Sequence, residues 1–190
     1  MIFEKAPAAG GGLLICDRMC DIRVMKFLNA LSLREKWLLA FVGVAILSRL
    51  VVHIPNVTAV TATALFAGRF FQRKSLAFAV PLLIMAVTDL FLGFYTISVF
   101  VYAALLGVVA IGKWANRISV LSVLASSVLF FVLTNFGVWL LGYPKTWEGL
   151  LACYTAAIPF FRASLIGDFA FSALLALSFR AVERSVLAKA

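Results

Sequence analysis

The segment VPLLIMAVTDLFLGF, residues 80–94, sets a carboxylate, Asp89, among side chains that are otherwise almost all apolar. A charge at the centre of a membrane costs at least about 2.5 kcal/mol, so ionisable groups within apolar helices face a protein interior or a wet cavity and point to function. Other residues share this character. Arg49 and His53 are four apart and lie on one helix face. Ser164, Asp168 and Ser172 form a polar stripe at the same spacing, with Arg162 just before it. Asn135, Trp139 and Tyr143 descend another face, again four apart. Asn56 follows Pro55, where its side chain can accept an orphan N–H at a helix start.

These residue types suit the capture of a small polar or amphipathic molecule. Arg49 and Arg162 would hold a carboxylate or phosphate. Asp89, Asn135 and Asp168 would take amines, amides or hydroxyls, and His53 could accept a proton. Trp139 and Tyr143 would cover an apolar ring, with Tyr95 and Trp147 completing the rim. The same set also suits a structural role, in which Arg49–Asp89 and Arg162–Asp168 are ion pairs that lock helices together. An enzyme is not expected: Asp89 and Asp168 resemble a carboxylate dyad, but no G-x-G-D-type motif surrounds either. With one histidine, no P-loop and no H-E-x-x-H, neither a metal nor a cofactor is expected.

The elements that must position these groups are apolar helices. The chain has 190 residues, 64% of them hydrophobic, and a mean hydropathy of +1.08. Soluble domains sit near 45–50% apolar, so the excess predicts an all-α, polytopic membrane protein. The net charge is +9, but the basic residues lie in loops between apolar runs, which makes them topology signals rather than a nucleic-acid surface. Cys16, Cys20 and Cys153 have neither redox nor zinc spacing and are assigned no chemistry.

Six spans are predicted, over about 36–53, 57–71, 76–93, 97–112, 118–141 and 163–180. The apolar stretch Gly149 to Phe161 is short for a crossing and contains Pro159, so a separate re-entrant or interfacial helix is predicted over about 147–160. With both termini cytoplasmic, 14 of the 17 basic residues fall inside, leaving Arg49, Lys145 and Arg162 outside. The domain plan is a flexible or amphipathic N-terminal segment (1–34), a transmembrane domain (35–182) and a short cytoplasmic tail (183–190). In this topology the embedded polar residues gather at the outer end. The small pair Ala64 and Gly68 lets helices approach closely, either in packing within the bundle, the favoured reading, or as a docking face for a partner; LASS, residues 124–127, is a second stretch of this kind.

The blocks IPNVTAVTATALFAGRFF, PLLIMAVTDLFLGFY and LFFVLTNFGVWLLGYPKTWEGLLACYTAAIPFFRASLIGD resemble a family of uncharacterised bacterial integral membrane proteins. That family in turn resembles the substrate-binding S components of energy-coupling-factor (ECF) transporters, through its helix count and its P…TDL.LG segment. The resemblance implies a six-helix bundle in the bacterial inner membrane, in contact with lipid, with a ligand pocket near the outer face. It also implies a transmembrane scaffold and ATPase subunits as partners.

Overall fold

The computed structural model describes residues 31, 33–51 and 57–187. Within them the chain forms six helices and no strands: α1 Leu33–Val51, α2 Val60–Phe70, α3 Lys74–Leu92, α4 Ser98–Trp114, α5 Val120–Gly142 and α6 Trp147–Leu187. Most of the N-terminal segment, His53, Pro55, Asn56 and the last three residues of the tail lie outside the described residues. Among the described residues, three stretches are long and apolar enough to cross a membrane: α3, α5 and Trp147–Ala181 of α6.

The second predicted span proves to be a different element. α2 has 11 residues, about 16 Å at 1.5 Å per residue, whereas a crossing needs roughly 20 residues. Every residue from Val60 to Gly68 is buried. A helix buried on all sides belongs in the middle of a bundle, and α2 packs against each of the other five. Its small side chains allow this. A Cβ on Gly68 would stand 2.2 Å from the Val109 carbonyl oxygen, and one on Gly112 would stand 2.1 Å from that of Leu65. Backbone from α2 and α4 thus occupies the space that side chains would take. Ala64 and Gly68 are both buried here, so the small pair serves packing within the chain instead of presenting a face to a partner.

The separate helix predicted over 147–160 is also corrected. It is continuous with the sixth span in one 41-residue helix, α6, with Pro159 inside it. Proline removes one helical N–H and is costly in water, but flanking turns carry an apolar helix through such a position. About 61 Å of helix results, and its first half runs back along α5. The Tyr154 hydroxyl donates to the Val132 carbonyl (2.7 Å), and the Cys153 thiol lies 3.5 Å from the Asn135 carbonyl.

Local signals explain the helix ends nearest the polar groups. α3 stops at Gly93, whose φ of +93° is disfavoured for any residue with a Cβ; its N–H donates to the Asp89 carbonyl, which fixes Asp89 in the last turn. α5 starts with a capping box in which Ser119 and Ser122 exchange side-chain and backbone bonds. The C-terminal end of α2 is sealed: Lys113 donates to the Phe71 carbonyl (3.1 Å), and Glu35 accepts from the Gln72 N–H (3.0 Å). Phe66, Phe70 and Phe179 cluster beside that end. The core therefore closes at one end of the bundle, and the polar residues collect at the other.

Candidate functional site

At the opposite end of α2 lies a cavity of about 510 Å³, within the range of about 300–1,000 Å³ typical of small-molecule sites. Side chains from all six helices and their flanking turns line it, including Arg49, Thr61, Met85, Val101, Asn135 and Ser164. Successive helices alternate in direction, so this wall combines the C-terminal halves of α1, α3 and α5 with the N-terminal parts of α2 and α4 and the middle of α6.

Among the described residues, Arg49 is the charged group on the wall. Its Nη2 pairs with Asp89 Oδ1 at 2.7 Å, and its Nη1 donates to Thr88 Oγ1 at 2.6 Å and contacts Met85 Sδ. The Arg49 side chain is 20% exposed and that of Asp89 only 1%. The guanidinium therefore meets the cavity and the carboxylate lies behind it. Asp89 is further held by the Tyr102 hydroxyl, which donates to Oδ2 at 3.0 Å. Thr88 can accept from Arg49 because its own hydroxyl proton goes back to the carbonyls of Ile84 and Met85.

Asp168 is enclosed separately. The Ser127 hydroxyl donates to Oδ2 at 2.6 Å, and Thr61 of α2 is a neighbour of the carboxylate. Thr61 in turn lines the cavity, whereas Asp168 does not. One turn further along the stripe, the Ser172 hydroxyl is buried without a hydrogen-bond partner among the described residues.

The start of α2 forms another part of the wall. Thr58, Val60 and Thr61 all line the cavity. The first N–H groups of a helix have no intrahelical acceptor, and the N-cap, Ala59, supplies no side-chain oxygen. Ala59 is instead tied to α1, with its N–H donating to the Ser48 hydroxyl at 3.1 Å.

The predicted site residues thus separate into groups. Arg49 and Asn135 line the cavity, and Asp89 and Asp168 lie directly behind its wall. Asn135 spends one amide N–H on the Phe131 carbonyl of its own helix (2.8 Å). Arg162 is exposed and is not part of the wall; among the described residues, no Arg162–Asp168 bridge accompanies the Arg49–Asp89 pair. Six positions separate Arg162 from Asp168, which puts them on different helix faces. Trp139 and Tyr143 organise the α5–α6 turn instead. Trp139 donates to the Pro144 carbonyl, and Lys145 donates to the carbonyls of Trp139 and Tyr143 while lying 5.8 Å from the Trp139 ring centroid. Tyr95 and Trp147 are exposed away from the wall. His53 and Asn56 lie outside the described residues.

Sequence reasoning missed Tyr102, Met85, Thr134 and the phenylalanines of the wall. Tyr102 follows Asp89 by thirteen positions on the next helix, so no local spacing links them. Phe130, Phe131, Phe160 and Phe161 are indistinguishable in the sequence from aromatics that face lipid.

Residues 30–189 match a family of unknown function, DUF6580. The chain belongs to that family. The match covers the entire described bundle. No curated protein and no solved structure matches the chain, and the resemblance to S components has no counterpart in these comparisons.

Proposed function

We propose that this DUF6580 member is a multi-pass membrane protein that captures a small molecule in the cavity beside α2, as the binding subunit of a transporter. The observation that carries this reading is the cavity itself, built by all six helices at the end of the bundle where the sequence concentrates its embedded polar residues.

The surface supports membrane residence. Phe91 and Leu121 are each 74% exposed, and Leu90, Val120, Ile166 and Leu177 are also on the outside. So many large apolar side chains exposed to solvent are unfavourable in water and are satisfied by lipid tails. The distribution of basic residues supports cytoplasmic termini, and with that topology the cavity would open to the outer side of the membrane. The chain has no nucleotide-binding motif, so accumulation of a ligand against a gradient needs a partner or an ion gradient. The sequence resemblance to S components favours a transmembrane scaffold with ATPase subunits.

Thermal unfolding of the full chain in lipid nanodiscs, screened against a metabolite library, tests the capture reading. A ligand should raise the Tm of the wild type. Ala157→Phe, which places a ring in the cavity, should abolish that shift while remaining folded without ligand. The capture reading fails if no compound shifts the wild type, or if Ala157→Phe responds as the wild type does.

A second, purely structural reading draws on a specific observation: both buried carboxylates already have their hydrogen bonds within the chain. The double substitution of the Arg49–Asp89 pair described in the Discussion separates the two.

A further inference from the structure

Resting on the capture reading, we infer that the ligand is an amphipathic anion: an apolar, ring- or chain-bearing body with a single carboxylate or similar oxyanion, seated against Arg49. Three independent features of the wall carry this.

The first is the sign of the exposed charge. Among the described residues that line the cavity, Arg49 is the sole charged side chain. Both nearby carboxylates lie behind the wall, with Asp89 paired to Arg49 and Asp168 bound by Ser127. A ligand ammonium would find no carboxylate among the described lining residues and would be desolvated without compensation. A ligand anion would find a guanidinium. Of the five N–H donors of arginine, three are used by Met85, Thr88 and Asp89. Among the described residues, Nε–H and the second hydrogen of Nη2 have no acceptor and are left for a ligand.

The second is the end of α2 that meets the cavity. It is the N-terminus, where the helix dipole is positive and the first-turn N–H groups lack intrahelical acceptors. The opposite end of the same helix is already matched by Lys113 on the Phe71 carbonyl, so the two ends of α2 are treated differently. The third is the rest of the wall. It is mostly hydrocarbon, with Phe130, Phe131, Phe160 and Phe161 along α5 and α6. The rings of Phe131 and Phe161 pack 4.6 Å apart between centroids. One anchoring charge and a large apolar remainder describe a monoanion with a hydrophobic body. With Arg162 away from the cavity, a second acidic group would have no further cation to meet among the described lining residues.

The experiment uses the full chain in nanodiscs of zwitterionic lipid, with matched probes in place of the unidentified ligand. Hexanoate, octanoate, decanoate and phenylbutyrate are each compared with their amides and amines by calorimetric titration and Tm shift. At least one acid should bind, its amide should bind at least about tenfold more weakly, and its amine should not bind measurably. Arg49→Gln combined with Asp89→Asn removes both charges of the pair while keeping polar groups in place. It should stay folded and lose the preference for acid over amide. Equal binding of acid and amide, tighter binding of an amine, or an unchanged acid preference in the double variant overturns the anion assignment. Any of these leaves the capture reading standing. If neither these probes nor any compound in the metabolite library binds, capture fails as well. If the library yields only cationic or neutral ligands, the anion assignment alone is refuted.

Discussion

The interlock of α2 with α4 makes a prediction whose sign is informative. In a helix without close neighbours, Gly→Ala stabilises by about 0.5–1 kcal/mol, because glycine loses more backbone entropy on folding. At Gly68 and Gly112 the added methyl would stand 2.2 Å and 2.1 Å from a backbone oxygen, whereas ordinary contact begins at 3.4 Å. The helices would have to part by roughly 1.2 Å at Gly68, and neither partner atom is a side chain that can rotate away. A gap of about 0.5–1 Å already forfeits a quarter to a half of each dispersion contact across the interface, and overpacking of this kind costs about 1–3 kcal/mol. The net expectation for Gly68→Ala is a loss of about 1–2 kcal/mol, a Tm fall of about 2–8 °C for a chain of this size. Gly43→Ala is the control: Gly43 is in α1 with nothing within 4 Å of an added Cβ, and its Tm should rise. Because one separation relieves both clashes, Gly68→Ala with Gly112→Ala should cost less than the two singles together. Thermal unfolding in nanodiscs reads the four variants against the wild type. A Gly68→Ala variant at least as stable as the wild type would refute the close approach and, with it, the central placement of α2.

Two further outcomes follow from the polar contacts. Arg49→Met alone leaves Asp89 buried without its cation and should cost about 3–5 kcal/mol; adding Asp89→Leu should restore most of that stability while ligand binding stays lost. A double variant that recovers both stability and transport would favour the structural reading. Ser119→Ala removes one half of the capping box that starts α5 and should lower stability by about 1 kcal/mol, read as a shift in the denaturant midpoint without loss of ligand binding.

The sequence by itself determined the helices and the neighbourhood of the site. Long apolar runs between charged loops fall within a few residues of α1, α3, α4 and α5, because hydropathy and chain punctuation are local properties. The same sequence marked Arg49, Asp89, Asn135 and Asp168, because an embedded polar group stands out wherever it occurs. Tertiary structure alone decided which of these groups meet the cavity. The choice of Arg49 as the exposed charge and Asp89 as its buried backing depends on α1, α3 and α4 converging, with Tyr102 arriving from a separate helix. Arg162 and Trp139 carried the same signal in sequence and turned outward or into a loop, because spacing along one helix fixes a face but not what that face meets. The shortness of α2 and the continuity of α6 were hidden for a related reason. A central helix and a lipid-crossing one are equally apolar, and Pro159 interrupts hydrogen bonding without breaking a helix whose flanking turns hold it in place.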